Sequence, residues 1–130
     1  MRYNASAILI GEWSLVRPRH DVSSVLPLGP TAFYILLALA DSERHGSDIA
    51  EEVERTTDGA IRILPGALYR YLKQMVTDGW IVESETGDDD GRKRYYELTP
   101  LGRRIAQAEA QRLDNVVQLA RIRRLLPSIG

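Results

Sequence analysis

The sequence predicts a mainly α-helical fold with one small β-hairpin and a long C-terminal helix. Apolar residues recur at helical spacing in several stretches, which indicates amphipathic helices. Two short alternating stretches between residues 80 and 99 flank a turn rich in Asp and Gly, which is typical of a hairpin. A helical pattern then runs from Thr99 to about Leu125. With 130 residues, the chain is long enough for one domain with a real core but not for two.

The composition excludes several kinds of site. The chain contains no Cys, which rules out disulfides, thiol redox chemistry and Cys-ligated zinc. The two histidines, His20 and His45, lie far apart in sequence, so we expect neither a metal nor a cofactor. No stretch approaches the ~20 apolar residues of a membrane span. The apolar run at residues 7–10 is too short for a secretory signal, so we expect a cytoplasmic protein without a membrane partner.

Residues 1–27 form a segment whose structure the sequence leaves open. Trp13 and the apolar run at residues 8–10 favour an arm that packs on the domain or on a partner subunit. The general fraying of chain termini favours a flexible tail instead. We therefore divide the chain into this N-terminal arm or tail, a domain at residues 28–98 and a C-terminal helical segment at residues 99–130.

The first two predicted helices supply much of the core. The helix at residues 28–41 is expected to turn one apolar stripe inward, formed by Phe33, Leu36, Leu37 and Ala40 and widened by Ile35 and Leu39. The helix at residues 47–56 is expected to use Ser47 or Asp48 as its cap and to bury Ile49, Ala50 and Val53. We interpret His45 as a turn residue, since no nucleophile or second acid–base group lies near it in sequence.

The third predicted helix, at residues 64–78, has two contrasting faces. Pro65 suits its first position and Gly79 the residue just beyond its end. Its apolar stripe consists of Leu68, Leu72, Met75 and Val76, and its outer face carries Gly66, Arg70, Lys73 and Thr77. Such a helix either lies on the surface with solvated cations or packs on a core and contacts a polyanion.

The hairpin that follows favours the second interpretation. Residues 80–85 and 94–99 alternate, and Arg92, Lys93 and Arg94 open the second strand. The acidic residues 88–90 are expected to form a solvated turn rather than a Ca²⁺ loop, because no bidentate Glu stands at the required position. A helix with a cationic face that directly precedes a hairpin with a basic flank predicts a winged helix-turn-helix, whose third helix enters the DNA major groove.

We expect Arg70 and Lys73 to contact the groove, while Gly66 and Ala67 let the start of the helix come close to DNA. Tyr69 either reaches a phosphate or lies half-buried in the core. The full predicted DNA-binding set is Arg62, Pro65, Gly66, Ala67, Tyr69, Arg70, Lys73, Arg92, Lys93 and Arg94. No coherent set of acid, base and nucleophile is present, so we predict no catalytic residues and no enzyme.

The C-terminal helix has more apolar surface than so small a domain can cover. Thr99 suits its cap and Pro100 its first position. We therefore predict a homodimer that this helix holds together. The predicted dimerisation residues are Leu101, Ile105, Ala108, Leu113, Val116, Val117 and Ala120.

Three stretches together resemble the PadR family of bacterial transcriptional regulators: ILLALADSERHGSDI, LPGALYRYLKQMVTDGWI and RKRYYELTPLG. The resemblance covers about residues 28–125 and, with one C-terminal helix, suggests the short-tailed branch of the family. It implies a homodimeric DNA-binding repressor that a small ligand often releases from a pseudo-palindromic operator. Three positions depart from the family pattern: Ser47 replaces a usual Tyr, Leu64 a usual Ser or Thr, and Ala67 a frequent Thr.

The remaining expectations concern regulation and rival functions. A small apolar or aromatic effector is predicted to bind between the domain and the long helix, where it would be lined by Trp13, Phe33, Ile105, Leu113 and Val117. The alternative is a repressor without a ligand. The net charge of −1 supports a second alternative, a winged helix that binds protein rather than DNA. One continuous positive face would discriminate against it.

Overall fold

The computed structural model describes residues 22–85 and 94–128. The predictions made for Trp13, Arg92 and Lys93 therefore lie outside the described residues. A short 3₁₀ helix at Val22–Val25 precedes four α-helices: α1 (Pro30–Ala38), α2 (Gly46–Thr56), α3 (Pro65–Thr77) and α4 (Pro100–Ile122). Three strands complete the fold: β1 (Arg44–His45), β2 (Ile81–Glu85) and β3 (Arg94–Leu98). The predicted fold class, mainly helical with a hairpin and a long final helix, is confirmed.

The strands form one antiparallel sheet in the order β1-β3-β2. The hairpin register runs from Ile81 opposite Leu98 to Glu85 opposite Arg94. Strand β1 was not predicted, and the interpretation of His45 as a turn residue is wrong, because His45 pairs with Tyr95 in this sheet. A strand of two residues is too short to show an alternating pattern, so only its distant partner reveals it.

The core lies between α1, α2, α3, the sheet and the first half of α4. Its fully buried side chains include Ile35, Leu36, Leu39, Ile49, Val53, Ile81 and Ile105. In α1, Leu36, Ile35 and Leu39 are buried as predicted, but the prediction is wrong for Leu37, which is 44% exposed. Almost every residue of α1 is apolar, so its sequence contains no polar face that would fix the rotation of the helix.

The end of α1 comes earlier than predicted, and two arginines bind carbonyl groups at this end and just beyond it. The helix stops at Ala38 rather than at residue 41. Arg44 donates a hydrogen bond from Nε to the carbonyl of Ala38, and Arg103 of α4 donates one from Nη2 to the carbonyl of Ala40 at 2.9 Å. These bonds satisfy groups that the end of a helix leaves unpaired, and the second one links α1 to α4.

The start of α4 is fixed to the hairpin by the cap that the sequence predicts. The Thr99 side chain accepts a hydrogen bond from the backbone N–H of Gly102 at 3.0 Å, and the Thr99 backbone N–H donates to the Trp80 carbonyl at 3.0 Å. A Cβ atom on Gly102 would overlap that carbonyl oxygen and lie 2.8 Å from its carbon. Only glycine therefore lets α4 pass this close to the hairpin.

The two halves of α4 lie in different environments. In the first half, Ile105 is buried and Glu109 is 2% exposed. In the second half, Val116 and Ile122 are 52% and 74% exposed. The helix ends one turn before the predicted Leu125, because Arg124 adopts a left-handed φ of 65° and the Leu125 N–H bonds the Ala120 carbonyl at 2.8 Å. Helices usually end in this way at Gly, so an Arg at this position did not indicate a helix end in the sequence.

Within the described ranges, no helix is both long and apolar enough to cross a membrane.

Candidate nucleic-acid interface

Helix α3 separates its apolar and cationic residues as the sequence predicts. Leu68, Leu72 and Met75 are buried against the core, whereas Arg70 and Lys73 are exposed. The helix begins at Pro65 and ends before Gly79, whose φ is 81°. Its first turn is exposed, and the Arg70 guanidinium lies 4.0 Å from the position of a Cβ atom on Gly66, which is an arrangement that favours a phosphate group.

The first turn of α3 has no side-chain cap. Leu64 is the N-cap residue, and its side chain makes no capping hydrogen bond. Pro65 and Gly66 are exposed and Ala67 is half-buried, so small residues surround the unpaired N–H groups. These N–H groups are free to bind an external anion, because the side chains beside them supply no acceptor.

Arg70 and Lys73 are available for an external partner. Within residues 22–85 and 94–128, neither cation has a carboxylate within ion-pair distance. The Lys73 ammonium lies 5.9 Å from the centroid of the Tyr69 ring. Tyr69 is 61% exposed, so it is not the half-buried core residue of the alternative interpretation. Tyr69, Arg70 and Lys73 thus lie on the exposed side of one helix.

Arg62 and Arg94 are also exposed, but each has an internal partner. Arg62 Nη2 lies 3.3 Å from a carboxylate oxygen of Glu54, and Arg94 Nη1 lies 2.6 Å from one of Glu83. The predicted DNA-contacting cations therefore differ in charge environment. The charges of Arg62 and Arg94 are partly neutralised by acidic neighbours, whereas Arg70 and Lys73 have no such carboxylate among the described residues. The sequence could not reveal these pairs, since they join residues 8 and 11 positions apart through the fold.

The N-terminus of α2 lies beside α3 and is organised by His45. The Nδ1 atom of His45 lies 2.9 Å from the Ser47 hydroxyl, and its Nε2 atom lies 3.2 Å from an Asp48 carboxylate oxygen. Its ring also packs edge-to-face on Tyr95, with centroids 5.6 Å apart. The predicted cap by Ser47 or Asp48 is wrong: His45 is the N-cap residue, and both side chains face its imidazole instead of the backbone N–H groups.

Ser47, His45 and Asp48 contact one another, but they are not arranged as a catalytic triad. All three residues lie within one turn of a helix start, and their contacts are local ones between positions two and three apart. A serine nucleophile also needs oxyanion donors and a substrate site arranged around it. The contacts instead fix the start of α2 against the sheet, close to the first turn of α3.

A groove of about 510 Å³ opens between α2, α3 and β3. Its lining includes Ser47, Leu68, Leu72 and Tyr96. Tyr96 is 9% exposed, and burial together with the nearby Glu83 carboxylate raises the pKa of its phenol above the ordinary value. The Tyr96 hydroxyl therefore stays protonated near neutral pH and can donate a hydrogen bond. Sequence reasoning missed this groove, since Tyr96 appeared there only as part of an alternating strand.

The predicted effector residues that the structure describes differ in how exposed their side chains are. Phe33 packs against the core and Ile105 is fully part of it, so Ile105 offers almost no surface to a ligand or to a second chain. Leu113 is exposed and Val117 is half-buried on the second half of α4. Among the other predicted dimerisation residues, Val116 is exposed, whereas Leu101, Ala108 and Ala120 are half-buried.

Comparison with known proteins assigns a family to this arrangement. Residues 35–108 match the transcriptional regulator PadR-like family. Transcriptional regulator Rv3488 of Mycobacterium tuberculosis is 31% identical over 85 residues, which are 65% of this chain and 77% of that protein.

Solved structures share the fold of this chain. The fold is similar to that of a PadR family transcription regulator from Clostridium difficile, with a TM-score of 0.62, 21% identity and coverage of 72% of this chain and 96% of that one. It is also similar to the putative transcriptional regulator TA0346 from Thermoplasma acidophilum, with a TM-score of 0.58, 25% identity and coverage of 77% and 93%. The matched residues 35–108 contain the whole of α2, α3 and the hairpin, and the family consists of regulators rather than enzymes. This chain therefore belongs to the PadR-like family of DNA-binding transcriptional regulators.

Proposed function

We propose that the protein binds a specific operator by inserting α3 into the DNA major groove. The observation that carries this proposal is the pair Arg70 and Lys73, which are exposed on one helix and have no carboxylate partner among the described residues. An Arg side chain that binds a guanine in bidentate fashion contributes roughly 1–3 kcal/mol of discrimination. Tyr69 and the uncapped first turn of α3 are suited to phosphate contacts beside that base contact.

The test compares DNA affinities of charge-matched variants. The operator is first identified among DNA fragments that co-purify with the protein. Arg70→Ala is expected to lower operator affinity about tenfold to a hundredfold and to remove most of the preference over unrelated DNA. The matched control is Arg104→Ala, which removes one exposed cation from α4 without touching α3. Full operator affinity in Arg70→Ala, or an equal loss in Arg104→Ala, would contradict the assignment.

Lys73 and the wing are expected to contribute in a different way. Lys73→Ala should weaken binding to all sequences and reduce the salt dependence of binding by about one phosphate contact. The same behaviour is proposed for the basic flank of the wing, of which Arg94 is the described member. Binding measured between low and moderate salt separates these phosphate contacts from the base contact of Arg70.

We also propose that the second half of α4 forms a two-fold dimer interface. Leu113, Val116 and Ile122 are exposed on this half, and a long helix with such a surface usually packs against a partner helix. In a two-fold dimer, the two α3 helices would reach successive major grooves about 34–36 Å apart, which suits a pseudo-palindromic operator.

Assembly is tested by placing charges on this surface. The double substitution Leu113→Glu and Val116→Glu should give monomers, or insoluble protein, in sedimentation experiments. The matched control, Gln107→Glu with Gln118→Glu, adds the same charge at exposed polar positions of α4 and should leave the dimer intact. A wild-type protein that sediments as a monomer at micromolar concentration would contradict the dimer.

The proposed regulatory role is that of a repressor released by a small apolar or aromatic molecule. Such a molecule would have to bind a dimer with altered α3 spacing better than the DNA-bound one, since only differential affinity shifts an equilibrium. Phe33, Leu113 and Val117 remain the proposed lining. A screen of aromatic compounds by tryptophan quenching, followed by measurement of operator release, tests this role. Quenching without operator release would contradict it.

One observation supports the alternative of a protein-binding winged helix. The ion pairs Arg62–Glu54 and Arg94–Glu83 reduce the positive charge around α3. A protein-binding module would show no dependence of DNA binding on Arg70 and only a weak dependence on salt. The Arg70→Ala and salt experiments described above therefore separate the two functions.

A further inference from the structure

The groove between α2, α3 and β3 has the size of a small-molecule site. Its volume of about 510 Å³ falls within the range of roughly 300–1,000 Å³ that is typical of ligand pockets. Leu68, Leu72 and Ile63 form an apolar floor, and Gly46 approaches that floor from α2. A Cβ atom on Gly46 would lie 3.8 Å from Leu72 and 3.9 Å from Leu68, which is ordinary van der Waals contact, so Gly46 lies directly beside this floor.

Tyr96 brings a buried polar group to this apolar space. The side chain is 9% exposed and lines the groove, yet its hydroxyl makes no hydrogen bond to any residue in the described parts of the chain. Buried tyrosine hydroxyls normally have a hydrogen-bond partner, because an unpaired buried donor is unfavourable. This hydroxyl is therefore an unused donor in a site of ligand size.

The charges around the groove indicate which acceptor would suit that donor. Glu51 lines the groove, and Arg94, the one Arg or Lys among the lining residues that the structure describes, is paired with Glu83 at 2.6 Å. A carboxylate ligand would therefore face Glu51 while the charge of Arg94 is already balanced by Glu83, and an ammonium group has no lone pair that could accept a hydrogen bond from Tyr96. A neutral molecule with a carbonyl oxygen avoids both conflicts.

We propose that this groove binds a neutral, planar aromatic carbonyl compound, whose ring lies on Leu68 and Leu72 and whose oxygen accepts a hydrogen bond from Tyr96. The site is distinct from the proposed effector site along α4. Its walls include Pro65 and Tyr69 of α3, and Arg94 lies at the root of the wing. A bound ring would compete with DNA for these residues, so its occupation lowers DNA affinity. This regulatory part rests on the proposed DNA-binding role of α3.

Three related probes test the ligand chemistry by calorimetry with the full chain in the absence of DNA. They are 2-acetylnaphthalene, which has the carbonyl acceptor, 2-ethylnaphthalene, which has nearly the same shape without it, and 2-naphthoate, which adds a negative charge. We expect the ketone to bind about five- to tenfold more tightly than the hydrocarbon, the usual effect of one hydrogen bond. The carboxylate should bind least tightly.

Two variants locate the site. Tyr96→Phe should remove the advantage of the ketone and leave the hydrocarbon unaffected. Ser47→Phe, an exposed position on the groove wall, should block both compounds, whereas Ser47→Ala loses the hydroxyl without filling the groove and should bind both. Circular dichroism checks that each variant is folded. Equal affinity for ketone and hydrocarbon, or full ketone affinity in Tyr96→Phe, would overturn the inference.

DNA binding is measured separately to test the regulatory part. Saturating 2-acetylnaphthalene should weaken operator binding of the wild type but not of Ser47→Phe, relative to each protein without the compound. An unchanged affinity of the saturated wild type would overturn the competition with DNA. If the ligand-free protein bound no DNA at all, the proposed function would fail, whereas the calorimetric comparison would still decide whether the groove binds the ketone.

Discussion

Replacing Gly102 by Ala should destabilise the protein far more than an ordinary helix substitution. The new Cβ atom would overlap the Trp80 carbonyl oxygen and lie 2.8 Å from its carbon and 3.2 Å from its Cα. All three are backbone atoms, so no side-chain rotation relieves the overlap. The hairpin and α4 must therefore separate, and the bonds that the Trp80 carbonyl accepts from Thr99, at 3.0 Å and 3.1 Å, would be lost or weakened.

The magnitude follows from those two effects. Overpacking of a tight site costs about 1–3 kcal/mol, and each lost hydrogen bond about 1 kcal/mol, so we expect a loss of about 3–5 kcal/mol in the free energy of unfolding. Urea denaturation followed by circular dichroism measures this loss.

Gly66→Ala is the matched control, because Gly66 also lies in the first turn of a helix that starts with Pro, but only the end of the Arg70 side chain comes as close as 4.0 Å. This control should be neutral, or more stable by up to about 1 kcal/mol. A change below 1 kcal/mol in Gly102→Ala would refute the packing account of this junction.

Two further predictions concern acidic residues. Glu83→Gln should remove the charge that opposes DNA beside Arg94 and raise DNA affinity up to about fivefold, as expected for an exposed pair worth up to ~1 kcal/mol. An equal rise in Glu97→Gln, which removes an exposed charge from β3, would indicate a general charge effect instead. Glu109 accepts hydrogen bonds from Arg112 at 2.7 Å and 2.8 Å, and these bonds hold the pKa of the Glu109 carboxyl below its ordinary value of 4.5 despite burial. The carboxylate therefore stabilises the fold above about pH 4.5, and this contribution disappears as the pH falls through the lower pKa of the folded state. In urea titrations, the free energy of unfolding of the wild type should fall more steeply below that pH than that of Glu109→Gln, and parallel curves would contradict the assignment.

Local patterns were sufficient to predict most of the elements. Thr99 and Pro100 mark the start of α4 because their preference for a helix N-terminus depends only on neighbouring residues. The two faces of α3 follow from helical spacing, so the exposure of Arg70 and Lys73 could be predicted. Features that depend on distant partners could not. The strand at His45 requires Tyr95, and the rotation of α1 is set by the elements that pack on it, since its own sequence is apolar almost all round.

The groove and the ion pairs were missed for the same physical reason. Tyr96 fits the alternation of a strand whatever its hydroxyl does, and only the tertiary fold brings it beside Leu72 of α3. Likewise, the sequence shows Arg94 as a cation but not its ion pair with Glu83, because that pair forms only when the hairpin brings the two side chains together. A sequence therefore predicts which cations are exposed better than it predicts which of them remain unpaired.

Three contacts make the first half of α4 part of the DNA-binding domain. Thr99 bonds the Trp80 carbonyl, Arg103 bonds the Ala40 carbonyl, and the buried Glu109 carboxylate interacts with the backbone of Leu28. The 23-residue helix is about 35 Å long at ~1.5 Å per residue, so its exposed second half continues the same helix beyond the residues that contact the domain. In the proposed dimer, a small rotation of the two α4 helices against each other would move both α3 helices, which lie far from the rotation axis, by a larger distance. An effector that binds along the second half of α4 would thus change the spacing of the α3 helices, whereas a ligand in the groove would act on a single α3 helix without any change in the dimer.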